Sequence, residues 1–135
     1  MRRRFCLFPS SKSHVAVSRE NRGIRVVPEF DVPGHSRGLM PLEGADAIHF
    51  CTDGASRNQL FDDPGGHTYD TVHALIGEMA QLFPDDVMHI GCDETSVKGT
   101  CPLKTTFAFE QRLATAVASE FGKTAEGCAG LDPSP

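Results

Sequence analysis

The chain has 135 residues, 39% of them hydrophobic and 23% charged, a composition that suits one globular domain and lies outside the disordered and membrane-embedded classes. Its formal net charge of −5 offers no basic face to a phosphate backbone, so nucleic acid is not expected as a partner. No apolar run approaches the roughly 18 residues that a bilayer crossing needs, and no membrane span is expected.

Met1-Arg2-Arg3-Arg4 could open a secretory signal, but the apolar stretch Phe5-Cys6-Leu7-Phe8 is stopped by Pro9 and a serine-rich break. A signal needs about 7 to 15 apolar residues, so a complete one is not expected, and residues 1–17 read as an unrelated or disordered leader. Residues 18–22 followed by Gly23 look like a last helical turn closed by glycine. Residues 24–30, rich in β-branched side chains, predict a strand running into the loop Asp31-Val32-Pro33-Gly34-His35, with Pro28 tolerable near the strand's end. Residues 36–67 are polar and glycine-rich without a period, the pattern of a functional or disordered loop.

Val72, Leu75, Ile76, Met79, Leu82 and Phe83 recur at three- and four-residue steps. They predict a helix over 68–83, with Thr68 as N-cap and Pro84 as stop. A short strand over 87–90 then leads into Gly91-Cys92-Asp93-Glu94. A second helix is expected over 105–121, with Phe109, Leu113, Ala116, Val117 and Phe121 as its apolar stripe, and residues 123–135 read as a disordered tail. The strand, helix, strand, helix order predicts an α/β fold with parallel strands joined by helical crossovers. The five cysteines, Cys6, Cys51, Cys92, Cys101 and Cys128, lack zinc-finger spacing. Buried thiols are the expected state, with one disulfide among Cys51, Cys92 and Cys101 as the alternative if the protein is exported.

Asp93 and Glu94 are the most informative pair. They follow a strand and a glycine, and catalytic groups in parallel α/β proteins gather at the C-terminal ends of strands. Adjacent carboxylates disfavour simultaneous ionisation, so one can keep a proton and act as an acid while the other stays charged. That division of labour suits glycoside cleavage, although such pairs are also common on solvated surfaces.

His89-Ile90-Gly91-Cys92-Asp93-Glu94 resembles the signature of family 20 glycoside hydrolases, the β-N-acetylhexosaminidases, in which His-x-Gly-Gly-Asp-Glu closes the fourth barrel strand. Residues 22–35, from Arg22 to the Pro33-Gly34-His35 turn, resemble the same family's third strand and following loop. Tyr69-Asp70 and Leu82-Phe83-Pro84-Asp85 look like the helix between them. The resemblance runs from about Ser18 to about Phe121, roughly three quarters of the chain. It implies a fragment of a (β/α)8 TIM barrel over 18–122, about two strand-helix units around the third and fourth strands.

For the site, the resemblance implies that Glu94 protonates the departing glycosidic oxygen and then serves as base toward water. Asp93 would orient the substrate's 2-acetamido group, whose carbonyl oxygen attacks the anomeric carbon, the substrate-assisted variant of retaining hydrolysis. His35 would support the position and protonation of Glu94 through hydrogen bonding, and Asp31, at a strand end, is a supporting candidate that could line the pocket. Glu29 could line the pocket or satisfy backbone or an arginine, His89 is expected in the barrel wall, and Arg37 is a candidate sugar contact. The implied partner is a glycan ending in N-acetylglucosamine or N-acetylgalactosamine, without cofactor or metal. A full-length parent would be lysosomal or secreted, with a homodimer as one possible assembly.

The sequence departs from the family pattern at Cys92, which stands where a glycine is usual, and it contains no tryptophan, the residue that lines the family's sugar pocket. A whole barrel needs around 250 residues, and the first-strand arginine and the later-strand tyrosine and aspartate find no counterpart. The chain alone is therefore expected to be inactive or poorly folded. Three other readings stand beside this one: a carbohydrate-binding relic without chemistry, a metal-binding domain built on His35, His89, Asp93 and Glu94, and an incomplete gene product.

Overall fold

The computed structural model describes residues 22–44, 46–52, 58–96 and 99–127. The leader, Cys6, Cys128 and all but Arg22 of the helical turn expected at 18–22 lie outside them. In chain order come a 3-10 helix at Ser36–Leu42, helix α1 at His67–Leu82, strand β1 at Val87–His89, helix α2 at Leu103–Ser119 and strand β2 at Thr124–Glu126.

β1 and β2 pair in parallel, with Val87 opposite Thr124, Met88 opposite Ala125 and His89 opposite Glu126. The expected tail is thus corrected at its start, because residues 124–126 are a sheet strand. On the other side of β1 an extended segment pairs through a parallel bridge between Glu29 and His89. The predicted strand over 24–30 shrinks to this bridge for two reasons. Pro28 has no N–H to donate, although its carbonyl accepts from His89 at 2.9 Å. Beyond it, Phe30 N–H bonds to His89 O and Val32 N–H to Ile90 O, so two residues advance on one side against one on the other, as in a bulge.

α1 begins one residue before the predicted start, and its cap differs from the expected one. Thr68 is fully buried inside the first turn. The side chain that satisfies the turn is Asp63, which accepts the His67 N–H at 3.2 Å and the Thr68 N–H at 2.8 Å. These are orphan donors that every helix start must place. Phe83 turns extended at the other end, as a residue before proline must. α2 starts after Pro102 and closes near Gly122, whose φ of +65° suits a residue without a Cβ.

Both helices turn one face to the sheet. Val72 and Ile76 of α1 meet Phe109, Leu113 and Val117 of α2 together with Met88 and Ile90 from β1 and its end, all at most 1% exposed. Each such side chain contributes about 1.5–3 kcal/mol on burial. Tyr69 meets Phe109 edge-on at 6.0 Å, and Arg112 lies over the Tyr69 ring while reaching Asp62 at 2.7 Å.

The long loop is neither featureless nor apart from the core. Ile48, Phe50 and Leu60 are buried in the same cluster, bridges join Glu43 to Ile48 and Phe50 to Leu60, and a disulfide links Cys51 to Cys101 with Cα atoms 6.0 Å apart. The expectation of buried thiols is corrected for that pair, while Cys92 stands outside the disulfide. Among the described residues no helix is long and apolar enough to cross a membrane.

Candidate functional site at the strand ends

Two loops leave the C-terminal ends of neighbouring parallel segments, 31–36 after the extended segment and 91–94 after β1, and two glycines let them touch. A Cβ on Gly91 would lie 1.9 Å from Asp31 Oδ1, and one on Gly34 would lie 2.8 Å from the Asp93 carbonyl oxygen. No other residue type fits either contact. The first loop is folded back by Ser36, whose buried hydroxyl donates to Gly34 O at 2.8 Å and lies 3.1 Å from Pro33 O.

His35 stands at the centre. Its Nδ1 lies 2.6 Å from Asp31 Oδ2 and its Nε2 lies 3.1 Å from Glu94 Oε2, while Asp93 Oδ2 comes within 3.8 Å of Nδ1. The four residues singled out in the sequence, Asp31, His35, Asp93 and Glu94, are therefore brought together from two loops. The carboxyl of Glu94 is 80% exposed and that of Asp93 39%, which leaves both accessible from solvent.

The backbone there is held in an unusual form. His35, Cys92 and Glu94 all have positive φ, at 46°, 72° and 50°, a region costing a side-chain-bearing residue about 1–3 kcal/mol. Such strain concentrates where surrounding contacts over-determine geometry. Cys92 carries it at the position where the family pattern has glycine.

Charge follows the same geometry. The hydrogen bonds to Asp31 and then to Glu94 hold the His35 imidazole above its ordinary pKa. Burial, and the neighbouring Asp93, push the Asp31 carboxyl up against the opposing hydrogen bond from His35. Among the described residues Asp31 Oδ1 is buried without a hydrogen-bond partner, and Oδ2 carries the contact to the ring.

Other sequence candidates fall elsewhere. His89 faces Glu29, with Nδ1 3.3 Å from its carboxylate, and that Nδ1 also accepts the Gly91 N–H at 3.1 Å. Glu29 thus meets a histidine rather than an arginine. Arg37 is exposed and forms no ion pair among the described residues. The metal alternative named His35, His89, Asp93 and Glu94, whereas the ligand atoms that converge here are those of Asp31, His35 and Asp93.

Sequence reasoning missed the residues that anchor the second loop. Buried Gln59 accepts the Ser96 N–H at 2.6 Å and donates to its carbonyl at 2.7 Å, a backbone-like clamp just beyond Glu94. Thr95 donates to Glu110 of α2 at 3.3 Å, whose carboxyl is pushed up by burial against that bond. No local signal marks either pairing, since the partners are 37 and 15 residues apart.

With this geometry in view, likeness to known proteins can be weighed. The sequence model of "Glycosyl hydrolase family 20, catalytic domain" matches residues 13–126, which starts ahead of the expected onset of order at Ser18. The chain is 35% identical over 77 residues to β-hexosaminidase A of Caenorhabditis elegans, covering 56% of this chain and 14% of that protein. It is 35% identical over 83 residues to the human β-hexosaminidase subunit beta, covering 57% of this chain and 14% of the relative.

Among solved structures, the family 20 β-N-acetylhexosaminidase of Streptomyces coelicolor superimposes with a TM-score of 0.64 at 31% identity, over 84% of this chain and 23% of its own. A β-hexosaminidase of Streptomyces plicatus, solved with its product GlcNAc, gives 0.58 at 31% identity over 80% and 22%. The chain thus spans 14% to 23% of the length of these relatives. Because the family match runs through both strand-end loops and both helices, the chain belongs to glycosyl hydrolase family 20, matching its catalytic domain.

Proposed function

We propose that this chain carries the acid-base and acetamido-orienting groups of a β-N-acetylhexosaminidase, acting on terminal N-acetylhexosamine residues by substrate-assisted retaining hydrolysis, within a complete TIM barrel of which it forms one part. The observation that carries the proposal is the placement of His35 between Asp31 and Glu94, with Asp93 alongside, at the ends of parallel segments.

Glu94 is the general acid. With the His35 Nδ1–H donating to Asp31, Nε2 is free to accept a proton held on Glu94. The same proton count is met by an imidazolium beside a carboxylate, so the pair retains one transferable proton. The His35 ring, held above its ordinary pKa by its hydrogen bonds to Asp31 and Glu94, stands within hydrogen-bond reach of the acid. Proton transfer to the glycosidic oxygen accompanies cleavage of the C1–O bond, while the acetamido carbonyl oxygen bonds to C1. Asp93 accepts the acetamido N–H and stabilises the positive charge that develops on that group. Water then attacks C1, Glu94 takes its proton, and the acetamido group leaves with configuration retained.

Replacing Glu94 by Gln in a full-length parent is expected to lower turnover of a chromogenic N-acetylglucosaminide by about 100- to 10,000-fold, the usual worth of general acid-base help, and Asp93→Asn by about 100- to 1,000-fold, the usual worth of one charge-stabilising contact. Near wild-type rates in either variant would end the assignment. The probe follows from the GlcNAc product held by the S. plicatus relative. The 135-residue chain by itself is expected to give no robust turnover, because one part of a barrel leaves its sheet edge unpaired.

A further inference from the structure

Away from His35, a second set of imidazole and carboxylate groups converges where residues 48–50 cross the start of α1. His49, Asp63 and His67 each offer one ligand atom, and these atoms lie within 4.8 Å of one another. All three are held through the backbone. The His49 N–H donates to the Thr68 hydroxyl at 3.1 Å, and its carbonyl accepts from Phe61 at 2.8 Å. Asp63, 7% exposed, accepts the His67 and Thr68 N–H groups, and its Oδ2 lies 3.1 Å from His67 Nδ1.

Burial opposes the Asp63 charge, yet the hydrogen bonds from Thr68 and His67 hold this carboxyl below the usual carboxylate range. The carboxyl is thus fixed near the protein interior with Oδ2 toward His67. Gly65 supplies the room: a Cβ there would stand 2.7 Å from His67 Nδ1 and 3.0 Å from Asp63 Oδ2. Helix capping accounts for Asp63 and for the position of His67, but it does not account for the His49 ring. That ring is half-buried, tilts 44° against the His67 ring at 6.3 Å, and makes no hydrogen bond among the described residues.

We propose that His49, Asp63 and His67 form a binding site for a divalent transition-metal ion, best suited to Zn²⁺, with a further coordination position open to water. Two imidazoles and one carboxylate suit zinc or cobalt, whereas magnesium and calcium take oxygen ligands. Bonds of about 2.0–2.2 Å put tetrahedral ligand atoms about 3.4 Å apart, so closing the present cluster takes side-chain rotation on a fixed backbone. The positive end of the α1 dipole, which would oppose a cation, is met by Asp63. A bound ion would clip the long loop to α1 close to its disulfide.

Calorimetric titration of the full-length parent with ZnCl₂, with Co²⁺ as a spectroscopic probe, tests the site. One ion per chain is expected, with a visible Co²⁺ absorption band and a rise in Tm of about 5 °C or more at hundredfold saturation. His49→Ala removes a ring without another hydrogen bond, so it should leave the metal-free Tm within about 2 °C while lowering affinity at least about tenfold. His67→Gln provides a second variant with the same expected loss of affinity. No binding up to about 1 mM Zn²⁺, a millimolar threshold near −4 kcal/mol, overturns the proposal. So does binding that survives both substitutions, or that is lost instead on His35→Ala.

Discussion

Asp31 and Gly91 show how a site residue can depend on a neighbour that has no side chain. A methyl group at 91 would collide with the Asp31 carboxylate and its Cα at 2.6 Å, and the residue also holds φ at +70°. Gly91→Ala is therefore expected to destabilise the fold by about 2–4 kcal/mol, combining an overpacked contact with a strained backbone, as read by urea denaturation. A loss below about 0.5 kcal/mol, the range of ordinary surface changes, would contradict the geometry. For His35, whose largest upward influence is the Asp31 hydrogen bond, Asp31→Asn should lower the imidazole midpoint in an NMR titration, because the partner favouring the charged ring is gone. An unchanged midpoint would contradict it. The linkage sign follows: a raised folded value means that His35 stabilises the fold fully below about pH 6.5, its unfolded value. That contribution is lost as pH rises through the folded value.

α1 illustrates what an element needs beyond periodicity. Its apolar steps are written in the sequence, but its first turn is completed by Asp63, four residues before the helix begins. Asp63→Ala should cost about 1–2 kcal/mol, the usual worth of a cap, measured by chemical denaturation near pH 7. The carboxyl is held below its ordinary value, so the contribution is present above about pH 3.9 and lost as pH falls through the folded value. The gap between the wild type and Asp63→Asn should accordingly narrow in acid, and a gap independent of pH would count against the charge being responsible. β1 and the 28–32 segment make the complementary point. The β-branched residues over 24–30 suggest a longer strand, but Ile24 and Val27 are 47% and 37% exposed, so their burial rewards extension little.

Across the whole molecule, the Cys51–Cys101 disulfide joins two segments 50 residues apart, and Gln59 and Ser96 clamp the same pair of loops. Constraining so long a stretch of unfolded chain is worth about 2–4 kcal/mol. A Cys51→Ala/Cys101→Ala double variant should lose that much against the oxidised protein in guanidinium denaturation, and equal midpoints would show the link to be energetically idle. These ties matter for the site because the loop carrying Glu94 runs from β1 into the clamped residues Ser96 and Cys101 ahead of α2. Without them, two exposed carboxylates on strained backbone would have little to hold them beside His35.

What the sequence determined by itself was periodic or contiguous. Helices with apolar residues at three- and four-residue steps must bury one face, and a strand followed by Gly91-Cys92-Asp93-Glu94 announces a strand-end site, so α1, α2, β1 and the Asp93-Glu94 pair were legible, whereas His35 entered only through the family resemblance. Only the tertiary structure decided the rest. The bridge at Glu29, the short strand Thr124–Glu126, the disulfide, the Gln59 clamp and the Asp63 cap each join residues through a partner distant in the chain or outside the local period. Local pattern carries the burial of a face, whose energy is summed residue by residue. It does not carry the identity of the group across the gap, which depends on how separate segments close upon one another.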